Sequence, residues 1–170
     1  MNSFLPYLII ILALALILGP IMMLQPTAGQ RKRAKLRAMA AKQGIKVQAD
    51  GDTSGINYFL PWPEAVEYEQ AWRLQKQSYE HGAHFFKAWD FVDTTMHFDA
   101  QTRQSIERLL LEAEWLSEVG ANAIGVFIRW DERLSGQLPQ VAMDKVERTL
   151  IQLKGALSGA LPEVLPDASV

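Results

Sequence analysis

Residues able to hold a metal gather in one stretch of this sequence: His81 and His84, followed by Asp90, Asp93, His97 and Asp99. On a helix the first two histidines, three apart, share a face, whereas in a hairpin they straddle the turn and point to opposite sides. With no metalloprotease-type helical motif present, turn and strand-edge polar residues are the preferred reading. A membrane-bound metal-dependent hydrolase using His81, His84 and His97 is the alternative. Paired carboxylates occur at Asp131-Glu132 and at Glu112 and Glu114. Adjacent acids point in different directions, and acid–base work needs a second element to bring them into a cleft. Neither a phosphate loop nor a dinucleotide fingerprint occurs, and the absence of cysteine removes thiolate metal sites, disulfides and a cysteine nucleophile. The sequence therefore calls for no cofactor and assigns no catalytic or metal-binding residue.

Aromatic and cationic residues carry more weight. Five tryptophans exceed the needs of a small core, and large amphipathic rings serve at binding surfaces as well as in packing. Trp62 stands between two prolines, and Arg129-Trp-Asp-Glu-Arg133 could form a stacking and ion-pair patch. Trp62, Trp130 and Arg133 are accordingly the candidate interaction surface.

These residues must be positioned by an α+β body. Ile45–Gln48 and Ile56–Leu60 read as strands around the turn cluster Asp50–Gly55. Between Glu64 and Val92, alternation (Val66, Tyr68, Trp72, Leu74, then Phe85, Trp89, Phe91) favours a hairpin turning near Glu80-His-Gly82 over a helix. Asp99 predicts an N-cap for a helix reaching about Ser117, Ala123–Ile128 reads as a buried strand, and Pro139 starts a helix. That last helix has an apolar seam of Met143, Val146, Leu150, Leu153 and Leu157. The expectation is a small antiparallel sheet packed with two helices over residues 45–158, then a loose tail over 159–170.

Ahead of the body, Phe4 to Leu24 contains no charged residue, about 31 Å of helix at about 1.5 Å per residue, which predicts an N-terminal transmembrane helix over residues 1–25. Ala13-Leu-Ala15 offers a signal-peptidase-like spacing, but no basic residue precedes the apolar run, so the segment reads as an uncleaved anchor. Arg31, Lys32, Arg33, Lys35 and Arg37, with Lys42 and Lys46, precede the first acid, Asp50. These bases predict a basic juxtamembrane helix over 26–44 and an outside-to-cytoplasm orientation in an inner membrane. They also suit anionic headgroups. After Lys46 the remaining 10 bases meet 19 acids, so a basic collar joins an acidic body.

The apolar span, Leu24-Gln-Pro26, Gln30-Arg-Lys-Arg33 and the basic helical stretch together resemble the membrane-exit region of the YajC family, small bacterial inner-membrane proteins associated with the Sec translocon. The resemblance covers the first quarter of the chain and implies inner-membrane placement. The family's glycine-rich stretch and short β domain are not recognisable here. The expected function is a single-pass, non-enzymatic protein-interaction module. Its expected partners are membrane lipids and a protein of the inner membrane, and a homo-oligomer is compatible. Nucleic acid is disfavoured, because the basic stretch has no interleaved aromatic residues; anionic-lipid surface binding is a further alternative.

Overall fold

The computed structural model describes residues 4–23, 25–49, 55–63, 71–79, 84–92, 96–134 and 136–158. In chain order the elements are α1 (Leu5–Met23), α2 (Ala28–Lys42), β1 (Lys46–Ala49), β2 (Ile56–Pro61), β3 (Trp72–Lys76) and β4 (Trp89–Phe91). They continue with α3 (Ala100–Glu112), β5 (Glu118–Asn122), β6 (Gly125–Trp130) and α4 (Pro139–Ser158). Two compact units divide the chain, Met1–Ala34 and Lys35–Val170.

In the first unit the expected transmembrane helix is not borne out. Among the described residues no helix is long and apolar enough to cross a membrane. Helix α1 is apolar all round, with Tyr7, Ile11 and Leu16 among its exposed side chains. The single-pass topology, the inner-membrane location and the outside-to-cytoplasm orientation all depended on that span and are corrected with it. Where α2 begins, Thr27 and Gln30 satisfy each other's backbone: Thr27 N–H donates to Gln30 Oε1 at 2.8 Å and Gln30 N–H to Thr27 Oγ1 at 3.3 Å. This is a capping box written in the sequence as Thr-x-x-Gln.

The second unit is built on one six-stranded antiparallel sheet of order β1-β2-β6-β5-β3-β4. Register aligns Tyr58, Ile128, Val119 and Leu74 across β2, β6, β5 and β3, and all four are fully buried. Because side chains alternate along a strand, the neighbouring row (Asn57, Arg129, Glu118, Gln75) belongs to the opposite face. There Gly120 is required by close approach, since a Cβ would lie 2.6 Å from the ring of Phe127.

Helix α4 packs on β2 and β6, and α3 packs on α4. The seam Met143, Val146, Leu150, Leu153 and Leu157 is buried throughout, as its spacing dictates. Asp99 caps α3 by accepting the N–H groups of Gln101 and Thr102, both at 2.9 Å. These bonds, led by those from Thr102, hold its carboxyl below the ordinary value. Leu36 and Ala40 of α2 join the same core, and Gly44 follows the helix with φ +73°, the left-handed backbone that glycine accepts freely.

The hairpin expected within Glu64–Val92 is present as β3 paired with β4, Leu74 opposite Phe91; its predicted turn at 80–82 and residues 64–70 lie outside the described residues. Two expectations change. Helix α3 stops at Glu112 rather than near Ser117, and Glu118–Asn122 forms a strand that pairs on both sides.

Candidate functional site

Three groups of polar side chains stand out in the second unit, and their partners separate architecture from function. In the first, Arg37 of α2 donates Nε to Glu132 Oε1 at 2.8 Å and a terminal guanidinium nitrogen to Oε2 at 2.6 Å, while Tyr58 O–H donates to Oε1 at 2.6 Å. Glu132 is buried and holds φ +53°, a left-handed backbone uncommon for a residue with a side chain. The bidentate geometry suits a guanidinium fork. Burial first, and then the bond to Glu132, push the Tyr58 phenol above its ordinary range. The bond to Glu132 likewise raises the Arg37 guanidinium. With every atom of the carboxylate engaged, this trio fastens α2 to β2 and to the loop after β6.

The second group lies on the far face of the sheet. Arg129 donates Nε to Asn57 at 2.9 Å and another guanidinium nitrogen to Glu118 at 2.7 Å, and Arg73 stands 3.6 Å from the same carboxylate. Glu118 and Arg129 are 3% and 6% exposed, so the pair holds its charges out of water by satisfying them mutually. It too is structural.

The third group is open. Helix α3 presents Ser105, Arg108 and Glu112 at spacings of three and four, and α4 presents Lys145, Arg148, Gln152 and Gly155 in the same way, so each set forms one stripe. Packing of the two helices sets the stripes side by side as the rims of a groove. It consists of three depressions of about 290, 190 and 90 Å³ that share lining residues: Leu109, Glu112 and Gln152 link the first to the second, Trp115 and Lys145 the second to the third. Leu109, Ala113 and Ala156 supply apolar floor. One end closes on Trp115, Trp130 and Arg133, where the two indoles meet edge to face with centroids 5.2 Å apart.

Arg108, Lys145 and Arg148 are exposed and have no ion-pair partner among the described residues. Arg133 is paired with Asp131 at 2.6 Å. At Gly155 an added Cβ would meet nothing within 4 Å, so the groove is open there. The first depression is about the size of the smallest ordinary small-molecule sites, roughly 300 Å³, and the other two are smaller. Ser105, the hydroxyl on the rim, donates to the Gln101 carbonyl at 2.9 Å.

The residues singled out from sequence are distributed unevenly over these groups. Trp130 and Arg133 both line the groove end, Arg133 exposed and Trp130 buried at 6% exposure. Trp62 instead is 8% exposed, its indole donating to the Asn122 carbonyl at 2.7 Å, so it anchors the β5–β6 turn rather than a surface. Arg31 donates to the Pro26 carbonyl at 3.0 Å, Lys32, Arg33 and Lys35 are exposed, and Arg37 is committed to Glu132.

Of the histidines, His81 lies outside the described residues, His84 Nδ1 is 3.0 Å from the Lys87 carbonyl, and His97 is exposed. Among the described residues no three His, Cys, Asp or Glu side chains gather as a metal site requires. Sequence reading missed Arg108, Lys145, Arg148 and Trp115; the available signal was the matched spacing of bases on two helices, read together with Gly155. Comparison with family models, with characterised proteins and with solved structures finds no match to this chain, and nothing in it bears on the YajC-like opening.

Proposed function

We propose that this chain is a non-enzymatic protein-interaction module that receives a partner in the groove between α3 and α4. One observation carries the reading: a continuous groove with an apolar floor, whose rims carry Arg108, Lys145 and Arg148 with no ion-pair partner among the described residues. Apolar floor with polar rims is the anatomy of a docking surface, and the groove between two packed helices suits a third element laid along it.

A photo-reactive amino acid placed at Gln152, on the rim, and separately at Gln48, on exposed strand β1, tests the proposal in cells. A discrete adduct from position 152, absent from position 48 and lost when Gly155→Leu fills the groove, is the expected result. Equal labelling from both positions, or none from 152, contradicts it.

A further inference from the structure

Charge distribution names the chemistry of the occupant, an inference that rests on the docking role of the groove and goes beyond it. The chain after Lys46 carries 10 bases against 19 acids, yet the groove assembles Arg108, Lys145 and Arg148 against one lining acid, Glu112, with Arg133 at its end already paired to Asp131. A cationic furrow in an otherwise acidic body concentrates anionic partners and turns away cationic ones.

The floor and the closed end add a second requirement. Leu109, Ala113 and Ala156 offer no hydrogen bonds from their side chains. The end cleft of about 90 Å³ beside Trp115 and Trp130 has room for one aliphatic or small aromatic side chain. We propose that the groove takes an acidic peptide segment of a partner protein: its carboxylates meet Arg108, Lys145 and Arg148, and one large apolar side chain enters the Trp115–Trp130 cleft.

Nucleic acid fits less well, because the chain's pI is about 5.9 and a polyanion continuing beyond the groove would meet the acidic body around it. The groove from Ala142 to Ala156 is about 21 Å long at about 1.5 Å per residue, enough for roughly six extended residues at about 3.3 Å each.

Selection of a random peptide library on the immobilised full chain, with parallel selections on Gly155→Leu and on the Arg108→Glu/Arg148→Glu double variant, tests this. Enriched sequences are expected to be rich in Asp and Glu around one large apolar residue and to disappear in both variants. A synthetic peptide of the enriched sequence should bind the single Arg148→Ala variant about two- to fivefold more weakly and lose affinity as salt rises. Thermal melting checks that both variants remain folded.

Neutral or basic peptides that still depend on an open Gly155 would overturn the assigned chemistry and leave the docking role standing. Enrichment indifferent to Gly155→Leu, or no enrichment at all, would overturn both. Single-stranded RNA or anionic vesicles competing with the peptide at lower concentration than free acidic peptide, or dimerisation of the chain abolished by Gly155→Leu, would assign the groove to another occupant and overturn the peptide proposal.

Discussion

Trp115, just beyond α3, meets Trp130, the last residue of β6, edge to face with ring planes at 81°. The pair ties the end of the groove to the sheet, and Arg133 and Gln137 of the segment between β6 and α4 complete the lining of the cleft beside it. An edge-to-face aromatic pair contributes about 0.5–1.5 kcal/mol beyond the area it buries. A double-mutant cycle of Trp115→Leu and Trp130→Leu, read by urea unfolding, should return a coupling of about that size; additive effects would deny the contact.

Gly155 lies inside α4 with open space where a side chain would go. Glycine in a helix interior costs about 0.8–1.0 kcal/mol relative to alanine, and leucine is close to alanine. Gly155→Leu should therefore raise stability by up to about 1 kcal/mol while abolishing occupancy of the groove. Lower stability in denaturant titration would show that the site is not open as described.

Glu118 and Arg129 test the structural assignment of the far sheet face. Arg129→Met leaves a carboxylate that is 4% exposed with its 2.7 Å partner gone, Arg73 remaining 3.6 Å away. The cost should be about 3 kcal/mol. Adding Glu118→Leu removes the stranded charge and should recover most of it. A double variant no more stable than the single one would contradict the assignment.

The Tyr58 hydroxyl gives the clamp a pH signature. Its folded value lies above the ordinary 10.0, through burial first and then the bond to Glu132. Below that ordinary value its contribution to stability is complete. As pH rises further, the unfolded chain releases the proton while the folded one keeps it, and the contribution falls. The difference in unfolding free energy between the native chain and Tyr58→Phe should be constant at neutral pH and shrink above pH 10.0; a difference independent of pH would place the hydroxyl elsewhere.

Several elements were legible because one local rule decided them. The α4 seam obeys a helical period, Asp99 is a capping residue ahead of an apolar stripe, and Trp72 and Leu74 alternate into the core of the β3–β4 hairpin. Strand β5 was not legible. Glu118 reads as a surface acid until Arg129, eleven residues on, neutralises it, and Gly120 reads as a helix stop until Phe127 lies over it.

Trp62 misled for a similar reason: two flanking prolines suggest exposure, but the indole finds the Asn122 carbonyl sixty residues away. The apolar opening was read as a spanning helix, whereas among the described residues no helix is long and apolar enough to cross a membrane. Trp130 and Arg133 line one cleft, but Trp130 is itself 6% exposed, whereas Arg108 and Arg148 each look like a solvated helix face. They become rims of one groove through the packing of α3 on α4.

The most direct measurement of the docking role is amide hydrogen exchange of the full chain with and without a selected acidic peptide. Added protection is expected over 105–115 and 142–156, the segments bordering the groove, with β1 and β4 at the sheet edges unchanged. Protection confined to either edge strand, with α3 and α4 exchanging as before, would contradict the docking role.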